Sequence, residues 1–407
     1  MTLKKILGTR MVGTLHLWLG IASGLMVFVI GISGATYTFV DELKPVFYKD
    51  RLFITPEKTP KLPLGELVTI AEKALGGDKP VNRAEVFNQP DRTVIFRALK
   101  NDKEGFSHWD YYKYYYRVYV NPYNGKVVKV ENTENEFFQL VLSLHMRMLF
   151  GEKIGHYVVG YSVLTFVVLL ISGIVLWVPK KWNKTGREKS FRIKWGAKLQ
   201  RINYDLHNVL GFYAFVVLLV IALTGLVWVF DWMENSVRFV ANGGENIAKT
   251  KPMLSDTTLA GSGTDRAYIQ ARDKNPQAYS YLVIFPTKND GTVNIFTYLT
   301  NNTKYDRIQD NFDRHSGKLL KSASFDALNN GDKMYQLNFD LHTGSILSLP
   351  GKILVFFAGL ICASLPVTGF AIWWGRRKKN QKKESRTSVK RISRVKKTAF
   401  VKPAVES

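Results

Sequence analysis

The sequence predicts an α-helical integral membrane protein: a four-span bundle built from a duplicated unit, with two α+β domains outside the bilayer. Three observations lead there. Four apolar runs are each long enough to cross a bilayer, the order of motifs repeats once along the chain, and the basic residues gather in three segments flanking the runs.

The runs cover residues 14–40, 155–178, 207–230 and 345–374, and a crossing takes about 20 apolar residues of helix. Lys352, near the start of the fourth, is the only Lys or Arg in any of them. Residues 1–13 hold three basic and no acidic residues, 179–204 nine and one, and 376–407 thirteen and two, together 22 of the 24 net positive charges. The positive-inside rule then puts the N-terminus (1–13), the loop (179–206) and the tail (375–407) in the cytoplasm and segments 41–154 and 231–344 in the periplasm. The expected location is a bacterial inner membrane, crossed four times, with both termini cytoplasmic. So basic a chain could bind nucleic acid, but here the charge sits beside span ends, where it orients the protein and attracts anionic lipid. The lipid bilayer is the expected partner and nucleic acid is not.

The first run resembles a secretory signal but is longer than a signal core, and it recurs inside the chain where no signal is needed, so it reads as a retained span. The single Cys362 excludes an intramolecular disulfide and a C-x-x-C-H haem attachment, and reads as apolar packing.

The repeat is carried by histidine. His16 opens a run reaching Ser33-Gly34, and Leu144-His145 precedes a run reaching Ser172-Gly173 and Trp177. In the second copy His207 opens a run reaching Thr224-Gly225, and Leu341-His342 precedes one reaching Thr368-Gly369 and Trp373-Trp374. Such self-similarity implies duplication of the whole unit.

The outer segments read as small mixed domains. Residues 64–76 have helical spacing, and 93–98, 109–120 and 126–130 are strand-like, the last two joined by Asn121-Pro-Tyr-Asn-Gly125, a hairpin signal. Stretches 279–286, 292–299, 307–312 and 318–320 repeat the pattern, with Arg314-His-Ser-Gly317 as the turn. The tyrosine-rich run 109–119 reads as a two-faced strand in preference to an aromatic recognition surface.

Ionisable residues at membrane depth need a partner and point to function. His16 and His207 fall at the cytoplasmic ends of spans 1 and 3, and His145 and His342 at the outer approaches to spans 2 and 4, one pair per membrane face. Two imidazoles facing across a bundle can fill both axial positions of a haem. Zinc is less favoured, since the inner pair has only Asp205 nearby to complete a tetrahedral set. The bland alternative is an interfacial hydrogen-bonding role. Gly13, Gly20, Gly24, Gly211, Gly225, Gly359 and Gly369 leave room either for a porphyrin or for a neighbouring helix. His156, without a counterpart in the second copy, is an auxiliary candidate; Met146 and Met148 are further alternatives, and His108 and His315 are expected to be solvated.

The strings His16-Leu-Trp-Leu-Gly20, Val120-Asn-Pro-Tyr-Asn-Gly125-Lys, Leu144-His145, His207-Asn-Val-Leu-Gly211-Phe-Tyr and Leu341-His342-Thr-Gly344 resemble the PepSY-associated transmembrane helix family, over residues 10–380 or so. That family includes PiuB-like iron-regulated membrane proteins and FoxB-type ferric-siderophore reductases. The resemblance implies two PepSY-like periplasmic domains, two b-type haems held by His16, His207, His145 and His342, and delivery of electrons to a ferric siderophore or other iron chelate. Family members often carry a basic residue directly after the Leu-His of span 2; here Met146 intervenes and Arg147 follows as the auxiliary candidate. No G-x-G-x-x-G follows a strand and no flavin domain follows span 4, so a quinol or a cytoplasmic reductase is the expected donor. Two other classes stand beside the reductase: a non-catalytic module that binds a partner protein, and a transporter component for haem or an iron chelate.

Overall fold

The computed structural model describes residues 8–248 and 252–399, with residues 380 and 382–399 by backbone alone. Parts of the two basic termini, residues 1–7 and 400–407, lie outside the described residues.

The principal elements are α1 (Thr9–Thr38), α2 (Leu64–Ala74), β1 (Arg83–Phe87), β2 (Val94–Asn101), β3 (Tyr112–Val120), β4 (Val127–Asn132), α3 (Phe137–Arg147) and α4 (Glu152–Trp177). They continue with α5 (Leu199–Val227), α6 (Thr264–Lys274), β5 (Ser280–Ile284), β6 (Val293–Tyr298), β7 (Arg307–Phe312), β8 (Leu319–Ala323), α7 (Asn330–Thr343) and α8 (Ser348–Ala399). Four helical stretches, α1, α4, α5 and Ser345–Lys379, are long and apolar enough to cross a membrane, with mean hydropathies of 2.1, 2.4, 2.6 and 2.2. Between 17% and 33% of each apolar window is buried within the chain, so most of the apolar surface faces outward, as lipid contact requires. Their hydroxyls are satisfied locally: Ser23 donates to Leu19 O at 2.8 Å and Thr165 to Tyr161 O at 2.8 Å. The third span begins earlier than residue 207, at Leu199, and residues 206–210 form a π turn around His207.

Contacts divide the chain into two compact units, residues 1–28, 168–215 and 361–407, and residues 29–167 and 216–360. In the first, Trp177 stacks on Phe212 with ring centres 3.9 Å apart, and Phe191 meets Trp177 edge-on at 5.1 Å. Asp205, fully buried, accepts from the Lys194 amide and pairs with Arg201. These contacts fasten the basic loop to the helix ends. A Cβ on Gly24 would lie 3.3 Å from Pro366 Cβ, so this glycine marks a close helix approach. Cys362 is buried, as a packing residue should be.

The second unit holds the sheet. All eight strands are antiparallel in the order β4-β3-β2-β1-β5-β6-β7-β8, which reads alike from either edge. Two separate domains were expected; the two segments instead share one continuous sheet, because β1 and β5 pair over Arg83↔Ile284 to Phe87↔Ser280. That pairing removes two strand edges that would otherwise expose backbone donors and acceptors. Leu64, Leu67 and Ala71 of α2 and Ala267 and Ala271 of α6 pack on the face carrying Val86, Phe96, Val118, Val283 and Ile295. Both expected hairpins form, with Gly125 and Gly317 at φ 72° and 69°, a left-handed conformation that glycine adopts without steric cost.

Two short helices lead into spans. The Glu136 carboxylate caps α3 by accepting from the Phe138 and Gln139 amides, and Asn329 caps α7. Left-handed residues stop both, Met148 at φ 55° after α3 and Gly344 at φ 78° after α7. Lys352 pairs with Glu42 at 2.8 Å and Asp41 at 3.8 Å, which accounts for the one cation in an apolar run.

One expectation is overturned here. His108 is not solvated but fully buried: Nε2 donates to Glu134 O at 2.7 Å and Nδ1 accepts from Ser143 Oγ at 2.6 Å. Both ring nitrogens are satisfied, which is what permits burial.

Candidate functional site

Four histidines come together as two pairs, each pair inside one unit. His16 of α1 and His207 of α5 have ring centres 6.4 Å apart with planes at 89°. His145 of α3 and His342 of α7 are 6.1 Å apart at 65°. The sequence reading expected both pairs.

The support of each ring follows one rule that the sequence reading missed. Each histidine rests on a Ser/Thr-Gly pair of a neighbouring span, bonding the hydroxyl through Nδ1 and laying Cε1 against the glycine. His16 Nδ1 lies 2.8 Å from Ser172 Oγ, His145 Nδ1 3.4 Å from Ser33 Oγ, His207 Nδ1 2.9 Å from Thr368 Oγ1 and His342 Nδ1 3.0 Å from Thr224 Oγ1. A Cβ placed on Gly173, Gly369 or Gly225 would sit 3.4, 3.2 or 3.4 Å from the Cε1 of His16, His207 or His342; on Gly34 it would sit 2.8 Å from that of His145. The sequence signal was the constant spacing of these pairs from the histidines. Spacing alone does not say which helix supports which ring.

The network assigns the tautomer. Each supporting hydroxyl already donates its one hydrogen along its own helix: Ser172 to Leu169 O, Ser33 to Val29 O, Thr368 to Ser364 O and Thr224 to Val220 O. Its oxygen can therefore only accept from histidine, which puts the proton on Nδ1. The Ile30 and Leu365 carbonyls, 3.0 and 3.1 Å from Nδ1 of His145 and His207, require the same. A neutral ring with its proton on Nδ1 keeps its lone pair on Nε2, and no hydrogen bond among the described residues uses that atom in any of the four. Burial, with His145 beside it, pushes His342 down to about 3, and burial lowers His145 too, so both are neutral at pH 7. A neutral imidazole with Nδ1 tied and Nε2 open is the form that ligates a metal.

The remaining candidates are placed elsewhere. His156 Nε2 donates to Val229 O at 3.0 Å, and its ring contact is Tyr157. Arg147 lies over the Tyr111 ring at 4.2 Å and donates to the Tyr112 hydroxyl at 2.9 Å. Met146 is 51% exposed and Met148 is the left-handed residue ending α3. Among the described residues no group of three or more His, Cys, Asp or Glu gathers as a metal site.

No curated protein matches this chain. The family model described as PepSY-associated TM region matches residues 14–376, across all four membrane-length helices and the sheet between them. On that match the chain belongs to the PepSY-associated TM family.

Proposed function

We propose that the chain is an inner-membrane dihaem protein that passes electrons from a cytoplasmic or membrane donor to ferric siderophores in the periplasm, releasing Fe(II). The observation that carries this is the fourfold support of imidazoles through Nδ1, paired with ring centres 6.4 and 6.1 Å apart. The residues fit the group. The paired imidazoles, with ring centres 6.4 and 6.1 Å apart, would hold the group between them. Two protein ligands per site suit an iron whose other four positions a porphyrin fills, whereas tetrahedral zinc needs more.

When bound, haem b would supply a one-electron Fe(III)/Fe(II) couple at each pair. The chain's part is to hold and orient the ligands: Ser33, Ser172, Thr224 and Thr368 fix the tautomer, and the glycines let the rings lie close to the helices. The chelate is the substrate: one electron converts hard Fe(III) to Fe(II), which oxygen donors hold less tightly. Duplication, periplasmic placement of the sheet and cytoplasmic termini belong to this proposal, supported by the basic segments and the repeated histidine spacing.

Detergent-purified protein should show the paired absorption bands of six-coordinate b-type haem, sharpening on dithionite addition, with two haems per chain by pyridine haemochrome. A colourless protein from haem-replete cells would sink the reading and favour a partner-binding role. The glycine contacts give a finer test. Gly34→Ala forces its new Cβ to within 2.8 Å of the His145 ring, while Gly225→Ala meets His342 at 3.4 Å, an ordinary contact. The first should lower haem content toward about half, and the second should leave it within about a tenth of the parent. Equal haem content in both variants would show that ring seating does not govern binding.

A further inference from the structure

The sheet face opposite α2 and α6 carries charge in an order that costs stability. Register places Arg83 of β1 against Arg97 of β2, Arg97 against Arg117 of β3, and Arg117 against Glu131 of β4. Three arginines thus stand side by side on adjacent strands, and like charges directly opposite one another are destabilising. Strands about 4.8 Å apart spread the three over roughly 10 Å.

Arg117 is paired, lying 3.6 Å from Glu131 and 4.0 Å from Glu136, but among the described residues little neutralises Arg83 and Arg97. Glu131 pairs with Arg51 and accepts from the Tyr119 hydroxyl, and lies 3.6 Å from Arg117. Glu136 serves the α3 amides and the Tyr48 hydroxyl; burial alone would raise its carboxyl, but Lys44, Tyr48, the Phe138 amide and Arg117 hold it below its usual range. Among the described residues Arg97 donates only to the neutral Asn82 side chain, at 3.0 Å through Nε. Burial and its neighbours Arg83 and Arg117 push it down to about 10. Among the described residues Arg83 has no ion pair, and its buried Nε has no hydrogen-bond partner. Glu85, on the same face two residues along β1, pairs with none of the three among the described residues. All three arginines keep part of their surface exposed, Arg117 only 22% of its side chain. The row also touches the haem-side helix: Arg117 donates to the Tyr115 hydroxyl, Tyr115 packs on Tyr112, and Tyr112 accepts from Arg147 of α3, the helix that bears His145.

We propose that Arg83, Arg97 and Arg117 form the docking surface for an anionic iron chelate, of the trianionic kind that tris-catecholate ligands make with trivalent iron. A site built to bind charge keeps unpaired charge at a cost to folding, and several guanidinia spread along a line suit a ligand with several anionic oxygens. The identity of the chelate rests on the reductase reading; the anion site rests on the register alone. Haem propionates share the carboxylate-like chemistry and are the other source of such an anion.

The test uses redox-inert gallium(III) in place of iron, with purified full-length protein and titration calorimetry. The wild type should bind the trianionic gallium tris-catecholate more tightly than a cationic gallium trihydroxamate, and salt should weaken the former. Arg97→Gln and Arg83→Gln should each weaken tris-catecholate binding about tenfold, Arg97→Lys should restore most of it, and haem content and midpoint potentials should stay unchanged. Because Arg97→Gln relieves repulsion, its Tm should not fall. A fall of several degrees would make the row a structural brace and overturn the proposal. Lost haem or a shifted potential with unchanged gallium-chelate affinity would assign the arginines to propionates and overturn it too. A colourless wild-type protein that still binds the trianion through Arg97 would remove the haem reading and leave the anion site standing.

Discussion

His342→Ala is expected to remove one of two haems and abolish reduction of ferric chelate, while the protein still inserts in the membrane. The ring sits fully within the second unit, paired to His145 at 6.1 Å and packed 5.1 Å from Trp228. Its loss would take one of the two imidazoles that would hold the group there, and leaves a cavity the size of an imidazole. Expression should survive, because α7 is held independently by the Asn329 cap, by Asn338 donating to Thr224 O and by the buried Asp340 accepting from Lys304 N and Ser345 Oγ. Pyridine haemochrome should read about half the parent haem, and chelate reduction driven by dithionite should fall to background. Full haem and activity in this variant would mean that another residue serves the site. His156 and Met146 are then the alternatives to test, although the structure turns the first to Val229 and leaves the second exposed.

His207→Ala separates the two pairs. His16 and His207 stand 18 residues before Gly34 and Gly225, and a rise of about 1.5 Å per residue puts that stretch at roughly 27 Å of helix, close to the thickness of a bilayer core. The variant should lose one haem and keep the His145–His342 site intact. Dithionite supplied from outside should then still drive reduction of ferric chelate, while whole cells relying on their own metabolism should reduce it at background rate. Normal whole-cell reduction without the second haem would show that electrons do not enter through His207, and would return this pair to interfacial packing. The π turn at residues 206–210 gives the variant added weight: such turns are frequent at functional sites, and this one holds the residue whose ring meets His16.

Much of this molecule is legible in its sequence. Spans follow from apolar length, and the hairpins at Gly125 and Gly317 from local turn chemistry, because each is decided by residues close together in the chain. The four histidines stood out because a rare residue recurred at matched spacing. His108 was misread for the same kind of reason: it lies in a polar stretch, and only the fold brings Ser143 and the Glu134 carbonyl to its two nitrogens.

What the sequence by itself determined is therefore the set of membrane-length helices, the strands and turns between them, and the four histidines that stand as two pairs. The tertiary structure alone decided who supports whom. Within each half of the chain the exchange is crossed: the histidine of α1 rests on Ser172-Gly173 of α4 and that of α3 on Ser33-Gly34 of α1, while the histidine of α5 rests on Thr368-Gly369 of α8 and that of α7 on Thr224-Gly225 of α5. Strand register likewise aligned Arg83, Arg97 and Arg117, which are 14 and 20 residues apart in the chain. Periodicity encodes which face of an element a side chain occupies. Hydrogen bonds between distant elements and the register of strands depend on the packing of the whole chain, so they become visible only once it is folded.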